Sequence, residues 1–309
     1  MVPDGLSSVS VVVVSYFTGW EVLSQAVSSI LSQDYLKELI LVDNGNPDEI
    51  QGRIKNLTNH DARLLWLSQP RNLGFAAGCN EGVKLSSGKY ILLLNPDTVL
   101  PPHAFAPLLQ AFEADSHVWM VGCLLRNHDG TFQETCIRNL ITPVNAVVEA
   151  LRLYRFLKID GVNYRLSSLP AYPVPVQAIS GAFMMMPVAK YRHVGGMDEK
   201  YFLHVEDMDL CYRVQEMEGK IFFVPAVEVT HIGQTSRKSR FKVEWHKTRG
   251  IMRYFRKHFK YRYFPGWLLI ANLLLLTRFG VICVVLSTQQ LIETIRSKHE
   301  SRNESSRGV

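Results

Sequence analysis

The chain has 309 residues, 47% hydrophobic and 20% charged, enough for one large buried core, which excludes a wholly disordered protein. Five cysteines, scattered without a Cys-x-x-Cys pair, exclude a zinc or disulfide framework and point to a reducing compartment. The net charge of +6 conceals an uneven distribution, because the stretch 237–262 is densely basic and Glu244 is its only acid.

Residues 9–14 (Val-Ser-Val-Val-Val-Val) form a β-branched run suited to a strand buried on both faces. The run is too short, and lacks the basic flank, for a signal sequence. A loop at 15–19 follows, and then Trp20, Leu23, Val27, Ile30 and Leu31 recur at helical spacing. Further strands are expected at 39–42, 63–67 and 90–94, with a helix over 75–85 before the last of them. Strands alternating with helices in this way predict an α/β fold with a mainly parallel sheet and right-handed crossovers. Ligands of such sheets sit beyond the carboxyl ends of the strands.

Polar clusters fall at those ends. Asp43 and Asn44 close the second strand, Arg71 and Asn72 follow the third, and Asn95-Pro96-Asp97 closes the fourth. Each alone reads equally well as local structure, a turn at Asp43-Asn44 and at Asn95-Pro96-Asp97 and a helix entry at Arg71-Asn72, since Asn, Asp and Gly are turn formers. Three at successive strand ends favour one shared site. Asp129-Gly130 predicts a hairpin turn, and 139–176, with Pro143, Pro170, Pro173 and Pro175, reads as irregular.

The segment 202–213 holds three acids, Glu206, Asp207 and Asp209, among apolar and aromatic neighbours. A helix is expected from Met208 to Gly219, with the acids at its start, where the dipole favours negative charge. Capping by Asp207 or Asp209 is one reading. A paired, hydrogen-bonded or metal-bound role is another, since acids are rarely buried without such partners. Asp209 reads as a helix N-terminal residue, and Arg213 is within reach of one of these acids one turn on.

Taken in order, Asp43-Asn44 with Asp48, the run 71–80 (Arg-Asn-Leu-Gly-Phe-Ala-Ala-Gly-Cys-Asn), Asn95-Pro96-Asp97, the run 195–199 (Gly-Gly-Met-Asp-Glu), Glu206-Asp207 and Val229-Thr230-His231 resemble the motifs of a family 2 inverting glycosyltransferase, closest to its bacterial rhamnosyltransferase-like branch. The resemblance covers roughly residues 9–236. It implies a GT-A fold, a Rossmann-like sheet flanked by helices, with a nucleotide-sugar half over 1–100 and an acceptor half over 101–236. It also implies that Ser15, Tyr16, Asp43, Asn44, Arg71, Asn72, Gly74, Phe75, Asn80, Asn95 and Asp97 hold a nucleotide-diphosphate sugar. Gly74 and Gly78 would allow close backbone approach. Ser180, Gly181 and Ala182 would belong to a strand beside the transferred sugar, and acceptor loops would lie in 139–176. Asp207 would be the general base and Glu206 an acceptor-binding or orienting neighbour. Asp97, with His231, would hold a divalent metal, Mg2+ or Mn2+. Asn95 stands where the family's Asp-x-Asp has its first carboxylate, which lowers the charge of the site and predicts weaker metal binding.

After residue 236 the chain changes character. Basic residues interleaved with aromatics lead into 267–286, nearly all apolar except Asn272, Thr277 and Arg278. That order fits a membrane interface better than a nucleic-acid groove. The extension 237–309 is therefore expected to associate with an anionic inner-membrane surface, on the cytoplasmic face of a bacterial cell, where a lipid-linked glycan acceptor would be met. An interfacial or re-entrant segment, a span and a helical dimer interface, hence a homo-oligomer, all remain open for 267–286. The tail from Arg296 reads as disordered. The leading reading is transfer of L-rhamnose from dTDP-rhamnose in O-antigen-type polysaccharide synthesis, against a UDP-sugar donor or a non-catalytic binding protein on the same fold. A nucleic-acid-binding protein would leave Asp207 without a role.

Overall fold

The computed structural model describes residues 8–150, 169–233 and 239–305. The elements in chain order are β1 (Val9–Ser15), α1 (Trp20–Leu31), β2 (Leu36–Asp43), α2 (Asp48–Thr58), β3 (Leu64–Ser68), α3 (Phe75–Leu85), β4 (Tyr90–Leu94), β5 (Thr98–Val99), α4 (Phe105–Ala114) and β6 (Val118–Arg126). They continue with β7 (Ile137–Arg138), α5 (Pro143–Ala150), β8 (Val174–Val176), β9 (Ala178–Ile179), β10 (Phe183–Pro187), α6 (Val188–His193), α7 (Glu206–Glu216), β11 (Lys220–His231), α8 (Arg240–Phe259) and α9 (Pro265–Ser305).

The main sheet runs β3-β2-β1-β4-β10-β6-β11-β5, with β8 also paired to β11, while β7 and β9 form a separate two-stranded ribbon. Pairings among β1 to β4 and between β6 and β11 are parallel, and β10 is inserted antiparallel between β4 and β6. The strand order turns back at β1, so the carboxyl ends of β1 and β4 open a crevice at a topological switch point. The alternation expected from the sequence is present, and the predicted helix over 75–85 matches α3 at both ends.

Two apolar layers cover the sheet. Leu23, Ile54, Leu108 and Phe112 from α1, α2 and α4 pack on one face. Ala76, Val83, Tyr191, Leu210, Tyr254 and Leu275 from α3, α6, α7, α8 and α9 pack on the other. Helix α8 and the first turns of α9 thus share the second core layer. The expected domain boundary at 236 falls in 234–238, outside the described residues. Gly78 is close-packed on the sheet, since a Cβ there would meet Val14 Cγ1 at 2.7 Å. Its small size serves helix-on-strand packing.

Several expectations are corrected. The stretch expected to be irregular contains α5, whose buried Val148 and shielded Asn145 give it a packed face. The tail from Arg296 continues α9 as helix to Ser305. Residues 180–182 form the turn between β9 and β10, not a strand. The basic stretch is partly turned inward: Arg253 and Lys257 pair with Asp198, Lys257 also with Asp209, and Arg262 with Glu216. Within α9, 266–290 is long and apolar enough to cross a membrane, with a mean hydropathy of 2.4. Little of that stretch is buried, and Leu269, Leu273, Val281 and Val284 are more than half exposed.

Candidate active site

A cavity of about 800 Å³ opens beyond the carboxyl ends of β1, β2 and β4. Tyr16, Asn44, Asn72, Gly74, Phe75, Asn95, Asp97 and His231 of the sequence-predicted set line it. Asn44 organises its floor: Nδ2 donates to Asn72 Oδ1 at 2.9 Å and to the Gly74 carbonyl at 3.1 Å, and Oδ1 accepts the Leu73 N–H at 3.0 Å. Gly74 turns the chain into α3 at φ 90°, a left-handed conformation that glycine adopts without a steric penalty. A Cβ there would also strike the Phe202 carbonyl oxygen at 2.7 Å.

The other predicted nucleotide residues lie off the cavity wall. Ser15 and Asp43 are fully buried behind it. Asp43 Oδ1 accepts from both the backbone N–H and the side-chain amide of Asn46 at 2.8 Å, so this carboxylate shapes the loop after β2. Arg71 is exposed next to Asn72. Asn80 sits deeper in α3, donating to the Met197 carbonyl and accepting from Tyr191 Oη and the Met197 N–H, and so ties α3 to the 191–199 loop.

Asp97 and His231 come from the turn after β4 and the last residue of β11, and Asp97 Oδ1 lies 3.4 Å from His231 Nε2. Gln133 Oε1 lies 2.9 Å from His231 Nδ1, and Nε2 faces Asp97 and Asn95 Nδ2, the latter at 3.2 Å; a ring proton donated from Nδ1 to Gln133 leaves Nε2 as the coordinating nitrogen. An imidazole nitrogen and a carboxylate oxygen set side by side are the donor types that would hold a divalent cation. Among the described residues no group of three or more His, Cys, Asp or Glu side chains is placed to hold a metal ion.

The acids open α7 two residues before the expected helix start, and no side chain caps that end. Helical hydrogen bonding begins after His204 and Val205, both at positive φ (67° and 73°). For a β-branched residue this is a strained conformation, found preferentially where neighbours hold it in place. Phe202 stacks on His246 of α8, with 4.8 Å between ring centroids, and its carbonyl accepts the Phe75 N–H. The loop 202–204 then forms one wall of the cavity.

The three acids have different surroundings. Asp209 is wholly buried, accepting from Arg213 Nε at 2.8 Å, from Lys257 Nζ at 2.7 Å, and from Tyr201 Oη and His258 Nε2. Burial pushes its carboxyl up, but His258, Arg213 and Lys257 outweigh that and hold it far below the usual range. Asp207 Oδ2 accepts from Arg138 Nη2 and from the Gly181 N–H at 3.0 Å. Burial raises this carboxyl too, but the Arg138 charge and these hydrogen bonds win and leave it below its ordinary value. Glu206 is driven the other way, first by burial and then by the Asp207 charge. Adjacent carboxyls are thus pushed apart, one held ionised and the other favoured in its protonated form.

The 180–182 turn joins the two groups of residues. Its Gly181 N–H holds Asp207, while the Ala182 carbonyl accepts the Asn95 N–H at 3.0 Å and Ser180 Oγ accepts the Ala182 N–H at 3.3 Å. Sequence reasoning missed Arg138, Gln133 and Asn46, single polar residues in loops or on a two-residue strand with no periodic signal. It also missed a cavity wall built by Arg240, Val243 and Glu244 of α8 with Ile282 and Leu286 of α9.

A family model described as Glycosyl transferase family 2 matches residues 10–169, and one described as the N-terminal domain of galactosyltransferase matches 163–238. The chain is 24% identical over 233 residues to the rhamnosyltransferase WbbL of Escherichia coli K12, covering 69% of this chain and 85% of that protein. It is 26% identical over 235 residues to the N-acetylglucosaminyl-diphospho-decaprenol L-rhamnosyltransferase of Mycobacterium tuberculosis H37Rv, covering 72% and 75%. Among solved structures, GalNAc-T7 with UDP, GalNAc and Mn2+ superposes with a TM-score of 0.62 at 17% identity, covering 82% of this chain and 48% of that one. The mannosyltransferase PcManGT of Pyrobaculum calidifontis, in complex with GDP-Man and Mn2+, superposes with a TM-score of 0.57 at 14% identity, covering 93% and 80%.

Proposed function

Because the chain belongs to glycosyl transferase family 2 and has the GT-A fold, we propose that it transfers L-rhamnose from dTDP-rhamnose to a hydroxyl of a lipid-linked glycan, with inversion. The supporting observation is that one turn, 180–182, holds both groups: the Gly181 N–H anchors the ionised Asp207, and the Ala182 carbonyl accepts the Asn95 N–H next to the Asp97–His231 pair. Rhamnose is supported by the names of both relatives, and a diphospholipid acceptor by the name of the mycobacterial one. A UDP-sugar donor is the second reading, since the solved structure of GalNAc-T7, which shares the fold, holds UDP.

In this reading Asn44, Asn72 and Tyr16 hold the nucleotide at the strand ends, and Asp97 and His231 stand at its diphosphate. Those two residues would hold a divalent ion, Mg2+ or Mn2+, which would supply positive charge at the departing diphosphate. Asp207 accepts the proton of the acceptor hydroxyl as its oxygen bonds to the anomeric carbon. The bond from that carbon to the diphosphate breaks on the opposite face, and its electron pair leaves with the nucleoside diphosphate. The strained 202–205 loop and the Arg138 clamp fix the base in place, so little reorganisation is needed at the moment of transfer. The exposed apolar face of α9 keeps the enzyme on the inner leaflet, where a lipid-linked acceptor for cell-surface polysaccharide resides.

A thermal-shift screen of the full chain against dTDP-, UDP- and GDP-linked sugars, with and without Mg2+ or Mn2+, tests the donor. The expected result is a shift with dTDP-rhamnose, enhanced by metal and lost in Asp97→Ala. A shift confined to UDP-sugars selects the second reading, and no shift with any nucleotide sugar rejects both.

A further inference from the structure

Val205 starts α7: its carbonyl accepts the Asp209 N–H at 2.9 Å, the first bond of the helix. Glu206 and Asp207 follow it directly, so the conformation of 202–205 decides where the proposed base stands. His204 and Val205 both hold positive φ, and such a pair persists only where its surroundings fix it. Neighbours on α3 and α8 supply that fixing.

On the α3 side, the Phe75 N–H donates to the Phe202 carbonyl at 3.1 Å. On the α8 side, the Phe202 ring stacks on His246, with 4.8 Å between centroids and 25° between planes. One turn on, Gly250 lies against the strained pair. A Cβ there would come within 3.0 Å of Val205 Cγ2 and 3.4 Å of the His204 carbonyl oxygen. His246 and Gly250 are four residues apart and so share one face of α8. Glycine weakens a helix interior, and here its bare Cα is what lets the helix come this close. Ile251, Tyr254 and Phe255 of the same helix are buried in the second core layer, which makes α8 a firm support.

We propose that His246 and Gly250 are positioning residues: they hold 202–205, and through it they set Asp207 against Arg138 and the Gly181 N–H. The inference rests on the reading of Asp207 as the base of the transfer. It gives α8, which lies beyond both matched stretches at 10–169 and 163–238, a part in the chemistry. The link from α8 to α9 is made by other residues, where the two helices fold back on each other. There Arg278 Nη1 meets Glu244 at 3.1 Å, and Trp245 meets Phe279 at 5.3 Å between ring centroids.

The test uses the full chain in detergent with the donor found above, a bacterial lipid extract supplying the acceptor, and release of the nucleoside diphosphate as the rate. His246→Ala and Gly250→Ala should each lower kcat about 10–100-fold, the penalty of a misplaced base. Affinity for the nucleoside diphosphate should stay within about threefold, which also reports that the variants are folded. His246→Phe keeps a ring to stack on and should recover most of the rate. The acid limb of kcat/KM should move to higher pH in both alanine variants, because Arg138 then holds Asp207 less closely. Trp245→Ala loosens α8 from α9 instead, and its acid limb should match the parent's. Rates within about twofold of the parent in both alanine variants overturn the proposal. So does an equal loss of rate with an equal acid-limb shift in Trp245→Ala, which would make α8 a general support. A parent that turns over alongside unimpaired variants removes this inference alone. A parent that releases no nucleoside diphosphate removes the transferase reading and this inference with it.

Discussion

Arg138, on the two-residue strand β7, donates through Nη2 to Asp207 at the start of α7, sixty-nine positions away in the chain. The same nitrogen also reaches the Ile179 carbonyl at 3.1 Å, so the guanidinium is fixed at two points. The contact gives the proposed base an orientation, and it lowers the pH at which the carboxylate becomes available.

Removing that cation should therefore move the pH profile. Without Arg138 the burial of Asp207 is uncompensated and its carboxyl rises, so the acid limb of kcat/KM should shift to higher pH by about 1–3 units in Arg138→Gln. Arg138→Lys should restore part of the shift. Asp207→Asn should lower turnover by about 10²–10⁴-fold while nucleotide binding persists. Near-normal turnover in Asp207→Asn, or an unmoved acid limb in Arg138→Gln, would contradict the assignment.

Gly181 approaches this carboxylate so closely that a Cβ would sit 3.1 Å from Asp207 Cβ and 3.3 Å from its Oδ2. Gly181→Ala should displace the carboxylate by a few tenths of an ångström. The expected cost is about 1–3 kcal/mol of stability, with a loss of turnover much larger than any change in nucleotide affinity. Chemical denaturation and nucleotide titration of the same variant separate the two effects. Equal losses in turnover and nucleotide affinity would count against a specific effect on Asp207.

Much of the framework was legible because its signals are periodic. The β-branched run at 9–14 lies in β1, the helical spacing from Trp20 to Leu31 is α1, and Arg213 pairs with Asp209 one turn away. What could not be read are contacts set by tertiary approach. Arg138 looks like any surface arginine until β7 pairs with β9 and carries it under α7. Asp43, predicted to face the nucleotide, turns inward because Asn46 supplies two donors within the same loop. The cavity wall from α8 and α9 depends on a fold-back that no local pattern announces.

Asp209 joins α7 to α8, and its removal should be felt in the whole fold. Asp209→Asn leaves Lys257, Arg213 and His258 around a neutral group, an expected loss of about 3–5 kcal/mol in urea unfolding at pH 7. The pH dependence has a definite sign. A carboxyl whose folded value lies below its unfolded value adds stability that is complete above the unfolded value and is lost as pH falls through the folded one. Asp198, Asp207 and Asp209 are all depressed, so stability should decline below about pH 4 in the parent, and less steeply in Asp209→Asn. An identical acid limb in the two proteins would show that Asp209 is not linked to folding.

Gln133 offers a test of the metal reading that does not depend on turnover. Its Oε1 lies 2.9 Å from His231 Nδ1, and a ring proton donated to it there leaves Nε2 free to coordinate a cation. Gln133→Leu removes the acceptor without adding charge, and the ring is then free to rotate or to carry its proton on Nε2. Mn2+ binding in the presence of nucleoside diphosphate, followed by the electron paramagnetic resonance signal of the free ion, should weaken about 10–100-fold. His231→Ala should weaken it by at least as much, and the two changes together no further than His231→Ala alone, since Gln133 acts only through the ring. Additive losses in the double variant would mean that Gln133 reaches the ion by another route.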